Sequence, residues 1–142
     1  DLEKDMSPIY DQPLSRSNEY ASYIVDGIVN GNEITINANI MNEGYIDNLP
    51  SNCCVEVPCI INSNGFKPQK IGKLPEQLTA LMRTNINVQI LTAEAALTKK
   101  REHIYHAAML DPLTGANLTI DEIYDMTDKL IEAHSNYLPQ YN

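Results

Sequence analysis

The chain has 142 residues, of which 43% are hydrophobic and 20% are charged. This composition is typical of a globular protein with a core, and it excludes low-complexity disorder and collagen-like repetition. Ten basic and 19 acidic residues give a formal net charge of −9, which would repel a nucleic-acid backbone and an anionic membrane surface alike. No stretch approaches the roughly 20 apolar residues of a membrane span, and the acidic start is unlike a secretory signal. We therefore predict a cytoplasmic protein that has neither nucleic acid nor membrane as a partner.

The three cysteines are crowded into one short segment, at Cys53, Cys54 and Cys59. An odd number at this spacing argues against a disulfide framework and favours a reducing compartment. A structural zinc site would need a second Cys or His pair at finger spacing, which is absent from the sequence. We interpret the three residues as small apolar side chains of a buried strand.

The beginning of the chain differs in character from the rest. Residues 1–14 contain Pro8 and Pro13 and show no apolar period, which predicts an extended lead-in segment. Residues 15–142 carry all of the periodic segments and are predicted to form one domain. Because Asp1 is not an initiator methionine, we expect the chain to be part of a longer protein that continues upstream.

The first two periodic segments predict a helix and then a strand. In residues 17–30 apolar side chains recur at i, i+3, i+4 and i+8, with Ser17 or Asn18 as a capping residue and Gly31 as the stop. Residues 33–40 alternate strictly between apolar and polar side chains, as a half-buried strand does.

Two more strands are predicted after a polar loop. They cover residues 54–61 and 66–71, and the turn signal Asn-Ser-Asn-Gly at 62–65 joins them as an antiparallel hairpin. Pro58 has no backbone donor, which indicates an edge position or a bulge. The three strands would form a small antiparallel or mixed sheet.

Three helices complete the predicted fold. The first runs from Pro75 to Leu97, and the second covers residues 101–110 because Pro112 disfavours helical geometry in the residue before it. The capping box that Thr119 forms with Glu122 begins the last helix, near whose end His134 can bond free carbonyl groups. Clustered strands followed by clustered helices make the fold class α+β.

Several polar groups could be mistaken for catalytic or metal sites. No glycine pattern of a nucleotide-binding loop is present. Glu102, His103 and His106 share a helix face, but their order is not that of a zinc protease, so we favour surface or subunit-contact residues over a metal site. The carboxylates of the last helix lie where they favour the positive end of the helix dipole, which indicates capping and solvation; they are Asp121, Glu122, Asp125 and Asp128.

The loop that begins at Met41 is the best candidate for ligand contact. Asn42, Gly44, Asn48 and Pro50 combine amide groups, a flexible backbone and a rigid exit between two strands. Such a loop can touch a polyhydroxylated ligand, and it can equally be a plain connection between strands. The residues alone leave both interpretations open.

Six segments in one order resemble the C-terminal domain of family 4 glycoside hydrolases. Residues 83–89 most resemble the α-galactosidase (melibiase) branch of that family. The resemblance covers about residues 15 to 139, and the segments that carry it are Arg16–Ile24, Asn42–Pro50, Val55–Cys59, Ile71–Pro75, Leu91–Ala96 and Ala108–Leu113.

The resemblance implies a fold like the catalytic domain of lactate and malate dehydrogenases and an unusual glycosidase mechanism. NAD oxidises the sugar at C3, a tyrosine base removes the acidified C2 proton, the leaving group is eliminated, and a divalent metal, usually manganese, polarises the sugar oxygens. The family's nucleotide-binding glycines, metal ligands and tyrosine base precede this segment. The resemblance therefore implies that this chain holds no catalytic, cofactor or metal residue and is inactive alone.

These arguments lead to one functional prediction and its alternatives. We predict the substrate-side and oligomer-forming domain of an NAD- and Mn²⁺-dependent α-galactosidase, whose N-terminal NAD-binding domain would be its partner. Because basic residues are absent from the local sequence around the loop, a neutral sugar is favoured. The alternatives are a 6-phospho-α-glucoside or an α-galacturonide as substrate, and a non-catalytic dimerisation module. The predicted sugar-site residues are Asn42, Gly44 and Asn48 in the loop, and Arg16 and Glu19 near the cleft.

Overall fold

The computed structural model describes residue 17 and residues 19–142. Its described part contains five helices and a three-stranded antiparallel sheet, which confirms the α+β class. The predicted lead-in at residues 1–14 lies outside the described residues. In chain order the elements are α1 (Ala21–Asn30), β1 (Ile34–Met41), β2 (Cys54–Asn62), β3 (Gly65–Pro68), α2 (Glu76–Thr98), α3 (Arg101–Leu110), α4 (Pro112–Asn117) and α5 (Ile120–Ala133).

The sheet has the order β1-β2-β3, so β2 is its central strand. Both long strands alternate in burial, and for β1 this alternation was predicted from the sequence. One face of β2 is almost fully buried and forms much of the sheet's core; its side chains are Val55, Val57, Cys59 and Ile61.

The sheet differs from the prediction at two proline residues, Pro58 and Pro68. Pro58 was expected at an edge or a bulge, but it lies in the central strand, where its carbonyl accepts a hydrogen bond of 2.8 Å from the Gln69 amide. Gln69 directly follows the last residue of β3. Pro58 has no backbone N–H, but it lies opposite the end of the β2–β3 ladder, where the missing hydrogen bond interrupts no further pairing. The third strand was predicted over residues 66–71, but β3 already ends at Pro68, whose backbone has no N–H group to continue the ladder.

Helix α1 is shorter than predicted at its start and matches the prediction at its end. It begins at Ala21, and Tyr20 occupies the N-cap position without a side-chain cap. It ends at Gly31, which has a φ of 77° and whose amide bonds the Gly27 carbonyl at 3.1 Å. The expected apolar face is only partly covered, since Tyr23 and Ile28 are exposed.

The helical half confirms three predicted helices and adds one. Helices α2, α3 and α5 match the predicted segments within one or two residues. Helix α4 was not predicted, although its start carries a recognisable signal. The Asp111 carboxylate accepts a hydrogen bond from the Thr114 amide, and Pro112 occupies the first helical position.

The described residues cluster into two compact units. One contains the residues up to Ile36 together with Ile60–Phe66, and in it α1 approaches β2 closely at Gly27. A Cβ atom at Gly27 would lie 3.3 Å from the Ile61 Cγ2 atom, so only glycine allows this approach without displacement. The other unit contains residues 37–59 and 67–142, and it includes the loop after β1 and helices α2 to α5.

Candidate functional site

The loop between β1 and β2 is built around the side chain of Asn42. This side chain is 0% exposed. Its Oδ1 atom accepts a hydrogen bond of 2.7 Å from the Ile46 amide. Its Nδ2 atom lies within 3.1 Å of three carbonyl oxygens, those of Ile46, Leu49 and Pro50. One buried amide therefore holds both halves of the loop together.

The loop turns sharply at its exposed tip. Glu43 and Gly44 both have positive φ angles, of 40° and 92°, and the Tyr45 amide closes the turn on the Asn42 carbonyl at 2.7 Å. A Cβ atom at Gly44 would meet nothing within 4 Å, so the space around the tip is open. The tip presents the Glu43 side chain and the Gly44 backbone to its surroundings, while the Glu43 amide donates to the Ser51 carbonyl at 3.0 Å.

Asn48 connects this loop to the segment that precedes α2. Its Nδ2 atom donates to the Leu74 carbonyl at 2.8 Å, and its Oδ1 atom accepts from the Leu74 amide at 3.0 Å. Next to it, Ile46 pairs with Gly72 as a parallel bridge. The loop and residues 71–74 thus form one rigid assembly, which we call the Asn42–Asn48 loop site.

The fold brings two lysines, Lys70 and Lys73, close to the loop after β1, from which they are distant in sequence. Lys70 forms a salt bridge of 3.0 Å with Asp47, and Lys73 forms one of 2.7 Å with Glu76. A hydrogen bond from Lys73 lowers the pKa of the Glu76 carboxyl, and the same contact raises the pKa of Lys73. Both lysines are therefore paired with a carboxylate in solvent-exposed ion pairs.

The five predicted sugar-site residues fall into three groups. Asn42, Gly44 and Asn48 come together in the loop site, although the buried amide of Asn42 holds the loop and presents no exposed atom. Glu19 lies in the other compact unit, exposed and just before α1. Arg16 lies outside the described residues. Contact of these side chains with a sugar stays a prediction.

The histidine pair of α3 forms no metal centre with its neighbours. The rings of His103 and His106 lie 6.4 Å apart, edge to face, and Glu102 points toward Lys100 at 4.0 Å. Across the described residues, no group of three His, Cys, Asp or Glu side chains is placed to hold a metal ion. At the end of α5, His134 Nδ1 bonds the Leu130 carbonyl at 2.8 Å, which confirms the predicted structural role of this residue.

One polar cluster between helices was not predicted. The Asp128 carboxylate of α5 accepts hydrogen bonds from the Tyr105 hydroxyl and from Arg101, both in α3. The hydrogen bond from Tyr105, followed by that from Arg101, lowers the pKa of Asp128. Because Asp128 lies on another helix, far in sequence from Arg101 and Tyr105, helical periodicity gave no signal for this cluster.

The cysteines are free, and two of them match the prediction of burial. Cys53 and Cys59 are buried, and desolvation raises the pKa of both thiols. Cys54 was also expected to be buried, but it is exposed. Cys54 is the first residue of β2, and its side chain points to the face opposite that of the buried Val55, because successive side chains of a strand alternate between faces.

The helical part of the second unit also contains a groove of about 520 Å³. Its lining is apolar and includes Ala95, Ala107, Met126 and Ile131. His134, Tyr137 and Tyr141 also line it, but no carboxylate does, so it lacks the carboxylate pair of conventional sugar hydrolysis. Within the described residues, no helix is long and apolar enough to cross a membrane.

Comparison with known families identifies the class of this protein. The profile of the family 4 glycosyl hydrolase C-terminal domain matches residues 1–114. The chain therefore belongs to the family 4 glycoside hydrolases and represents their C-terminal domain.

Three curated relatives cover most of the chain. It is 48% identical to an α-galactosidase of Bacillus subtilis (strain 168) over 89% of its own length and 29% of that protein. It is 33% identical to an α-galactosidase of Rhizobium meliloti, covering 92% of the chain and 26% of the relative. It is also 33% identical to a maltose-6'-phosphate glucosidase of Clostridium acetobutylicum, and the alignment covers 88% of this chain and 28% of that relative. The chain thus spans less than a third of these relatives.

Solved structures show the same fold. A 6-phospho-α-glucosidase from gut microorganisms, in complex with NAD and Mn²⁺, superposes with a TM-score of 0.77 at 18% identity and covers 98% of this chain and 31% of its own. A 6-phospho-β-glucosidase of Thermotoga maritima, with manganese, NAD⁺ and glucose-6-phosphate, gives a TM-score of 0.75 at 20% identity and covers 99% and 35%.

Proposed function

We propose that this chain is the C-terminal, substrate-side domain of an NAD- and Mn²⁺-dependent enzyme that hydrolyses α-galactosides by redox elimination. The observation that carries the proposal is the 48% identity to the Bacillus subtilis α-galactosidase. The identity to the phosphoglucosidase from Clostridium acetobutylicum is 33%. Since most of the chain aligns in each case, the difference favours the α-galactoside over the phosphorylated substrate.

The loop site would contribute to binding of the sugar. The exposed tip carries the Glu43 carboxylate and the Gly44 backbone in open space, and sugar hydroxyl groups can hydrogen-bond to both. Asn48 stays partly exposed while it is fixed to Leu74. Asn42 would act as a positioning residue, because its buried amide fixes the geometry of the tip. A preorganised loop loses little conformational freedom when a ligand binds.

The charges at the loop site support a neutral sugar. A phosphate or carboxylate group on the substrate is usually recognised by an Arg or Lys side chain that is free to pair with it. Here Lys70 and Lys73 are each paired with a carboxylate of the same site. An anionic substrate would have to compete with Asp47 and Glu76 for these cations.

The redox chemistry and the metal chemistry would depend on the part of the enzyme that this chain does not contain. The described residues offer no three-ligand set for a metal ion, and the sequence has no dinucleotide-binding glycine pattern. Hydride transfer by the nicotinamide and polarisation of the sugar by manganese would therefore be supplied from an N-terminal NAD-binding domain. In this proposal the chain contributes no catalytic residue, and alone it is inactive.

A chimeric enzyme tests the proposed function directly. This chain replaces the matching segment of the Bacillus subtilis α-galactosidase, and release of p-nitrophenol from p-nitrophenyl α-galactoside is measured with and without NAD and Mn²⁺. We expect hydrolysis that requires both additives and is faster than hydrolysis of the 6-phosphorylated substrate. The unmodified Bacillus subtilis enzyme is the control.

Each other result has a defined meaning. If the chimera is folded and binds NAD but prefers the 6-phosphorylated or the galacturonide substrate, the family stands and the galactoside assignment is wrong. If it is folded and binds NAD but hydrolyses none of these substrates, the chain is better explained as a dimerisation module.

The same chimera tests the loop site. Asn48→Ala removes the contacts to Leu74, and we expect the KM for the galactoside to rise about tenfold. Asn39→Ala, an exposed site on β1, serves as the matched control and is expected to leave KM unchanged. Equal KM values for both variants would exclude this loop from sugar binding.

We also propose that the full enzyme is a cytoplasmic homo-oligomer. Several large apolar side chains of the described helices are exposed, including Leu97 at 80% and Leu113 at 75%. Exposed apolar surface of this kind favours association. Sedimentation of this chain as a strict monomer at high concentration would count against self-association through this domain.

A further inference from the structure

The chain contains two Asn-Gly dipeptides, Asn30–Gly31 after α1 and Asn64–Gly65 at the β2–β3 turn. An asparagine followed by glycine loses its side-chain amide most readily, because glycine has no Cβ atom to crowd the attacking backbone nitrogen. The two sites are alike in sequence. The fold, however, places their reacting groups in different environments.

At Asn30 both reacting groups are held by hydrogen bonds. The Asn30 Nδ2 atom donates to Asp26 Oδ1 at 2.7 Å. The backbone nitrogen of Gly31, which would have to attack the side chain, donates to the Gly27 carbonyl at 3.1 Å. Ring closure at this site would break the end of α1.

At Asn64 the side chain is exposed on the hairpin turn. It makes no hydrogen bond with any residue in the described part of the chain, and only its backbone amide is used, in a bond of 2.9 Å to Asn62 Oδ1. A Cβ atom at Gly65 would meet nothing within 4 Å, so the Cα atom next to the reacting nitrogen has open space beside it. The neighbouring Asn62 is held through Nδ2, which donates to Glu33 at 3.0 Å.

We propose that Asn64 is a site of spontaneous deamidation and that the fold protects Asn30. The Gly65 backbone nitrogen attacks the Asn64 Cγ atom and forms a new bond to it. The bond between Cγ and Nδ2 breaks, and ammonia leaves with the proton of the attacking nitrogen. Water then opens the succinimide ring at either carbonyl and gives aspartate or isoaspartate. No oxidant or reductant is required.

The reaction would change the turn in two ways. It replaces a neutral amide by a carboxylate and so adds one negative charge to a chain whose net charge is already −9. Isoaspartate also inserts an extra carbon into the backbone between β2 and β3. The hairpin register depends on the length of this connection, so the β2–β3 pairing would weaken.

Peptide mapping of the intact chain tests the proposal. The protein is incubated at mildly alkaline pH, and samples are cleaved after glutamate, because a tryptic fragment would hold both sites together. Cleavage after Glu19, Glu33, Glu56 and Glu76 places Asn30 in the peptide 20–33 and Asn64 in the peptide 57–76. Mass spectrometry then measures the gain of about one mass unit at each asparagine. A parallel incubation in about 8 M urea gives the rates of the unfolded chain.

In the folded chain we expect Asn64 to convert about tenfold faster than Asn30, because Asn30 must first break two hydrogen bonds. Asn62 in the same peptide should stay unconverted. In urea the rates at Asn30 and Asn64 should become similar. Conversion at Asn30 that equals or exceeds conversion at Asn64 in the folded chain would overturn the proposal. So would the absence of conversion at Asn64 in the folded chain while both sites convert in urea.

Discussion

At the scale of single residues, Asn42 determines the shape of the loop site. Its Oδ1 atom accepts from one backbone amide, and its two Nδ2 hydrogens are shared among three carbonyl oxygens of a segment that forms no regular structure. Without it the Ile46 amide and the Leu49 carbonyl would lose this partner, whereas the carbonyls of Ile46 and Pro50 would keep their bonds from the Leu49 and Cys53 amides. Its role is to hold the exposed tip at Glu43 and Gly44 in one conformation.

The substitution Asn42→Ala should therefore destabilise the chain strongly. We expect the free energy of unfolding to fall by about 3 kcal/mol, because the buried Ile46 amide and Leu49 carbonyl lose their side-chain partner at once. Urea denaturation followed by circular dichroism measures the change. Asn39→Ala, at an exposed position of β1, should change the stability by less than about 0.5 kcal/mol. Equal effects of the two substitutions would show that the Asn42 network contributes little.

At the scale of elements, the start of α5 is defined by local chemistry alone. The Thr119 amide donates to Glu122 at 2.8 Å, and the Glu122 amide donates back to the Thr119 hydroxyl at 3.4 Å. This reciprocal pair satisfies donors that the first turn of a helix leaves free. The same box was predicted from four consecutive residues.

Removal of the capping hydroxyl should loosen this helix start. Thr119→Ala is expected to lower the stability by about 1 kcal/mol, whereas Thr119→Ser keeps an acceptor and should have a much smaller effect. Thermal unfolding of the two variants provides the comparison. If the alanine and serine variants unfold together, the cap does not stabilise α5 in this protein.

At the scale of the whole molecule, carboxylates with lowered pKa values make the folding stability depend on pH. A hydrogen bond from Tyr105 lowers the pKa of Asp128 below 3.8, and one from the Thr119 amide lowers that of Glu122 below 4.5. Asp111 and Glu76 are shifted in the same direction, by the Thr114 amide and by Lys73. In acid the unfolded chain binds more protons than the folded one, so these contacts favour folding only while the carboxylates are ionised.

The stability from these contacts is present above about pH 4.5 and is lost as the pH falls through the folded-state values. We expect the unfolding temperature to decrease steadily from pH 5 to pH 2. Glu122→Gln keeps a hydrogen-bonding group but removes one titrating site, so the dependence should become shallower. A stability that stays constant or increases over this range would contradict the assignment.

The sequence by itself determined the features that depend on neighbouring residues. The strand alternation of β1, the capping box of α5 and the end of α1 before Gly31 all follow from local periodicity and backbone chemistry. The C-terminal family was also identifiable, because its motifs are short and ordered along the chain. The loop after β1 was recognised as a candidate site because its amide, glycine and proline residues stand together between two strands.

Only the tertiary structure decided what depends on residues far apart in sequence. It buried Asn42 completely, placed Pro58 in the central strand, and joined Tyr105 and Arg101 to Asp128. It also brought Lys70 and Lys73 to the loop site, each paired with a carboxylate, where the local sequence showed no basic residue. Local patterns carry propensity, but burial and charge pairing depend on which segments meet, because both are interactions through space.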